Sequence, residues 1–185
     1  MPHLFSALFF LAGVTAATND ESSATLAELR KLGVTSALVV SSQAVDEQPV
    51  WSPDGRRIAI NMDGEWSTVD LRALTFRAGT WHGGEAIGFA DPPPTLVSVP
   101  EAEIRAWQET ARFDPRRITT RTGVTVELAQ EELGTVFRIT KKGSKPEVLW
   151  STSLENCHSL ALSQDEKLVA FICELNGLIV ANVQP

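Results

Sequence analysis

Two stretches of this chain, 111 residues apart, carry one pattern. The first is VWSPDGRRIAINMDGEWSTVDL, from Val50. The second, LALSQDEKLVAFICELNGLIVANV, begins at Leu160. They agree at the serine (Ser52, Ser163), the turn aspartate (Asp54, Asp165), the apolar residue after the turn (Ile58, Val169), the later glycine (Gly64, Gly177) and a closing strand. Pro53 presets φ for a turn corner and Gly55 permits positive φ, so S-P-D-G reads as a hairpin connection. Asp63-Gly64 marks a second hairpin turn. A repeat of this kind constrains the fold more than any other feature, because repeated units bury their hydrophobic faces against one another.

Between the two copies lies IGFADPPPTLVSVPEAEIRAW. Here FADPPP takes the place of WSPDG, TLVSV that of RIAI, and EIRAW that of the third strand. A further unit follows from about residue 125, with β-like runs at 124–128, 135–140 and 147–150. The units recur roughly every 37 residues, which predicts about four blades of three or four short strands each. In the last unit, strands are expected near 158–162, 168–173 and 178–183. SALVV (36–40) is a lone strand ahead of the first unit. Paired with the last strand, it would join the chain ends and hide two sheet edges.

The segment PVWSPDGRRIAI with the following STVDL resembles the TolB-like, WD-type β-propeller repeat. That repeat occurs in periplasmic TolB and in the N-terminal propellers of prolyl oligopeptidases. SLALSQDEKLVAF with NGLIVANV resembles a degenerate second copy. AIGFADPPPTLVSVPEAEIRAW is similar to the WD-type pattern, with Trp107 where the third strand's tryptophan would stand. The expected fold is all-β: a small or partial β-propeller of about four blades, with a short N-terminal helix after a signal peptide. It closes as a monomer or completes itself as a homodimer.

The N-terminus sets the expected address. Leu4–Val14 is an apolar run too short for a membrane span of about 20 residues, and small residues at 14–17 follow it. Residues 1–17 are read as a signal peptide, 18–33 as a helix and linker, and 34–185 as the propeller-like domain. Ser22–Leu32 has a serine cap, Thr25 and Glu28 at capping-box spacing, and Gly33 as a stop. The mature chain then has no transmembrane segment and is periplasmic or secreted. Its net charge of −7 argues against a nucleic-acid partner.

The chain holds two cysteines. A hairpin turning about Asp165 sets Cys157 opposite Cys173, close enough for a disulfide in an exported protein. No G-x-S-x-G elbow, phosphate loop or metal-ligand spacing occurs, so no catalytic residue, metal or cofactor is assigned. Apart from His3, the histidines are His82 and His158. His82 sits in the glycine-rich GTWHGGEA loop, where Trp81 offers a stacking face; these two are the candidate binding residues. The other tryptophans read as packing between blades. The function expected is that of an exported, non-enzymatic binding or scaffold protein that uses propeller loops to recognise a protein or peptide. The alternatives are a propeller hydrolase or lyase with a funnel site, or a non-catalytic remnant of a larger propeller.

Overall fold

The computed structural model describes residues 37–39, 45, 48–81, 85–132, 134–153, 156–174 and 177–183. The expected signal peptide and the expected helix over 22–32 lie outside the described residues. Fifteen strands and one helix follow in order: β1 (Ala37–Val39), β2 (Val50–Trp51), β3 (Arg57–Met62), β4 (Glu65–Asp70), β5 (Phe76–Trp81), β6 (Glu85–Ala90), β7 (Val97–Ser98), α1 (Glu101–Gln108), β8 (Arg112–Asp114), β9 (Arg117–Thr119), β10 (Thr125–Glu131), β11 (Gly134–Thr140), β12 (Glu147–Ser153), β13 (Cys157–Leu162), β14 (Leu168–Cys173) and β15 (Gly177–Asn182). The described residues form an all-β fold with one short helix.

The strands form three hydrogen-bonded sheets among the described residues. The first has the order β2-β3-β4-β7 and the third β12-β11-β10-β9. Between them in the packing lies a seven-stranded sheet, β5-β6-β1-β15-β14-β13-β8. The pairings are antiparallel except β1 with β6, which is parallel.

The middle sheet is apolar on both faces, which is why LVAFIC and GLIVA read as unbroken hydrophobic runs. On one face Leu160, Leu162, Val169, Phe171, Ile179 and Ala181 meet Val126, Leu128, Phe137 and Ile139 of the third sheet. The Phe137 and Phe171 rings lie 5.2 Å apart, close to stacked. On the other face Ala161, Ala170, Leu178 and Val180 meet Trp51, Ile58, Ile60 and Val69 of the first sheet. Two alanines in this layer leave room for a large partner. Trp51, itself buried, donates its indole Nε1–H to the Ala161 carbonyl at 2.8 Å and so ties the two sheets together. A buried indole N–H without such an acceptor would be costly.

The repeat is visible atom by atom in its turns. In the β2–β3 turn the Ser52 hydroxyl donates to Asp54 Oδ1 at 2.6 Å and accepts from the Arg57 N–H at 2.9 Å. Asp54 Oδ1 accepts from the Arg56 N–H at 3.1 Å. In the β13–β14 turn Ser163 donates to Asp165 at 2.8 Å and accepts from the Leu168 N–H at 3.0 Å, while Asp165 accepts from the Lys167 N–H at 3.1 Å. The backbone closures match as well: Gly55 N–H to Ser52 O at 2.8 Å, and Glu166 N–H to Ser163 O at 2.9 Å. One difference is instructive. Gly55 has φ 67°, and its counterpart Glu166 takes φ 57° despite its side chain. The carboxylate of Glu166 is buried, pairs with the Arg112 guanidinium, and accepts the Arg121 backbone N–H at 2.7 Å. Those bonds offset a left-handed conformation that costs on the order of 1–3 kcal/mol.

The chain ends join as the sequence suggested. β1 lies antiparallel to β15, with Ala37 opposite Ala181 and Val39 opposite Ile179. The strands expected at 124–128, 135–140 and 147–150 are β10, β11 and β12, and the last unit is β13–β15.

The second unit differs from expectation and does not make a sheet of its own. β5 and β6 pair with each other and extend the middle sheet through β1. TLVSV contributes only β7, which becomes the fourth strand of the first sheet. EIRAW, expected as a strand, is part of helix α1. The reason is local. Ile104 and Trp107, at i and i+3, are the two buried residues of the helix. Glu101 and Glu103 lie in its first turn, where the helix dipole favours acids, and Arg105 binds Glu101 at 2.7 Å. The helix covers the outer face of the first sheet, packing Ile104 and Trp107 on Val50, Ala59 and Trp66. The outer face of the third sheet is mixed: Thr119 and Thr125 share a hydrogen bond of 2.9 Å and Arg138 pairs with Glu131, while Val148, opposite Arg138, is 52% exposed. The stack therefore ends differently on its two sides.

Cys157 and Cys173 are joined, opposite each other on β13 and β14, fully buried, with Cα atoms 4.1 Å apart. They are separated by 16 residues, and closing a loop of that length stabilises by about 3 kcal/mol in the chain-entropy account. The double variant Cys157→Ala, Cys173→Ala is expected to lose about that much in guanidinium unfolding; an unchanged midpoint would contradict it. A second expectation concerns pH. The Ser52 hydroxyl, then the Arg56 N–H and the nearby arginine charges, hold the Asp54 carboxyl below its ordinary 3.8. A depressed folded value stabilises fully above the unfolded value and is lost as pH falls through the folded one. The stability gap between the parent and Asp54→Asn should therefore narrow as urea melts are taken below pH 3.8; a gap independent of pH would show that the turn does not titrate.

Candidate functional site: two clefts on the first sheet

Of the residues singled out in the sequence, Trp81 closes β5, with its side chain outside the described set, and His82 lies outside it altogether. His158 stands at an irregularity in β13, with Nδ1 2.7 Å from Ser159 Oγ. Ser159 has φ 62°. Trp51, Trp66 and Trp107 pack between layers. No group of three or more metal-ligating side chains occurs among the described residues.

Sequence reasoning missed the concave outer face of the first sheet. Cross-strand pairing sets Arg57 opposite Asp70, Ala59 opposite Thr68 and Asn61 opposite Trp66, all on one face. Helix α1 lies across this face. One cleft opens where Arg57, Thr68 and Asp70 face the prolines at 92–94, and another opens between the helix and the β3–β4 hairpin. Arg57 pins the helix: its guanidinium carbon is 4.9 Å from the Trp107 ring centroid, and it reaches Glu103 at 3.4 Å. The Val99 N–H bonds the Trp66 carbonyl at 3.0 Å, fixing where the chain turns into the helix.

The first cleft has a volume of about 380 Å³ and is mostly apolar. Leu74, Pro92, Pro93, Pro94 and Val97 line it, with Arg57 and Asp70 at one side. Val97 is 58% exposed, a large apolar side chain left open at the edge strand of this sheet.

The second cleft has a volume of about 570 Å³ and is mostly polar. It is built by the β3–β4 hairpin and α1. The hairpin turn is Asp63-Gly64, with φ 54° and 81°, the left-handed pair that a tight two-residue connection demands. This places Glu65 at the tip and Asn61 and Trp66 one step in. Across the cleft stand Glu101, Arg105 and Gln108 of the helix. Arg105 is occupied by Glu101, through contacts of 2.7 and 3.2 Å. Glu65 has no ion-pair partner among the described residues. Asn61 is 3% exposed and lines the wall, yet its Oδ1 is buried without a hydrogen-bond partner. Such an acceptor costs about 1–3 kcal/mol if nothing meets it. A sequence signal existed: one asparagine interrupts the apolar run of RIAINM.

No protein-family model, curated protein or solved structure matches the chain. No helix among the described residues is long and apolar enough to cross a membrane.

Proposed function

We propose that this chain is a non-enzymatic binding module that acts outside the cytoplasm, periplasmic or secreted, and recognises a protein or peptide segment. Its scaffold is read as a set of propeller-type blades. The matching turn bonds of Ser52 and Ser163 and the pairing of the chain ends through β1 and β15 support that reading. The buried Cys157–Cys173 bond supports an oxidising compartment, since such bonds persist where thiols are not kept reduced.

One observation carries the binding proposal. Two concave sites of different character, one apolar and proline-walled, one polar, share the outer face of the first sheet, through Arg57, Thr68 and Asp70 in the one and Asn61 and Trp66 in the other. Peptide recognition commonly combines an apolar anchor with a few placed polar groups, and a face carrying both suits a short extended segment. The expected loop at Trp81 and His82 is the competing location.

Hydrogen exchange of the full chain, with and without a pool of short synthetic peptides, tests this. Added protection is expected over residues 57–70 and 92–108. Protection confined to residues 81–85 would move the site to the Trp81–His82 loop, and no protection anywhere would contradict the binding role.

A further inference from the structure

We propose that the cleft between the β3–β4 hairpin and α1 is a subsite for a basic side chain of a peptide partner, the ammonium of a lysine or the guanidinium of an arginine. The inference rests on the binding role above and names the chemistry of one of its two clefts.

Three observations on the cleft agree. First, Asn61 is almost wholly buried in the wall and holds an acceptor oxygen with no donor to meet it. Lysine and arginine heads offer donors and no acceptor, so either fits that need without creating a new unmet group. Second, the unpaired charge at the rim is negative. Arg105 is neutralised by Glu101 at 2.7 Å, whereas Glu65 at the hairpin tip is left without an ionic partner among the described residues. An anion entering the cleft would face Glu65 and find no free cation there. Third, Trp66 and Ile104 supply apolar wall beside the polar groups. Long basic side chains bury their methylene stems along such surface while the head reaches polar partners. The overall charge of −7 favours approach of a cation as well.

The test uses the intact protein and blocked tripeptides, acetyl-Gly-X-Gly-amide, with X as lysine, arginine, acetyl-lysine or norleucine. The readout is the indole N–H resonance of Trp66, identified by its disappearance in Trp66→Phe. Lysine or arginine should shift that resonance saturably, with Kd on the order of millimolar for so small a ligand, and more weakly as salt is raised. Acetyl-lysine and norleucine should leave it unmoved. Glu65→Gln, an exposed position on a preserved turn, should weaken binding about tenfold, the scale of one charge-assisted contact. Asn61→Leu should abolish binding while leaving the thermal midpoint unchanged or higher, because it removes a buried unmet acceptor.

Equal shifts from norleucine or acetyl-lysine would overturn the proposal, as would unaltered lysine binding in folded Glu65→Gln. Should the tripeptides fail while longer peptides still protect the amides of residues 95–97 from exchange, the subsite is wrong and the wider binding role stands.

Discussion

A sheet that is apolar on both faces must be covered twice, and the rest of this fold follows from that demand. β13, β14 and β15 bury side chains of both parities. Val169 and Phe171 point to one layer, and Ala170 points to the other. Neither flanking sheet could shield both faces. The first and third sheets are therefore held on opposite sides of the same three strands, and the disulfide lies within the contact with the third sheet. The size of the residues assigns the partners. Alanines 161 and 170 accommodate the Trp51 indole, whereas Phe171 meets Phe137 ring to ring.

Helix α1 resolves what would otherwise be an exposed face. The second unit makes no sheet of its own: β6, at its start, pairs with the preceding β5 and joins the middle sheet through β1. The outer face of the first sheet then needs another cover, and the eight-residue helix supplies it with Ile104 and Trp107. So short a helix cannot cover a four-stranded face completely. The margin left between the helix and the β3–β4 hairpin is the polar cleft. No helix covers the outer face of the third sheet among the described residues, and there Glu127 and Arg138 stand beside the exposed Val148.

Much of this was legible in the chain. Ser52 and Ser163, each two residues before an aspartate, announced turns whose bonds are local and depend on few distant contacts. The opposition of Cys157 and Cys173 followed from counting back from the same turn. The helix was not read, because Trp107 fits a β-strand as readily as a helix. The deciding signals were Glu101 paired with Arg105 and the i, i+3 spacing of Ile104 and Trp107, features that a search for repeats passes over. The parallel pairing of β6 with β1 brings Leu38 beside Gly88 and had no local signature at all. Asn61 was visible as a polar break in an apolar strand, but its unmet oxygen is a property of the folded neighbourhood.

The central claim is that β13–β15 form the layer on which both neighbouring sheets depend. Native-state hydrogen exchange in rising denaturant addresses it most directly, since regions that open only with the whole molecule exchange last. Amides of residues 169–172 and 178–181 should be the slowest, with exchange free energies merging with that of global unfolding. If amides of β10 and β11 outlast them, the third sheet stands without the middle one, and the layered dependence is wrong.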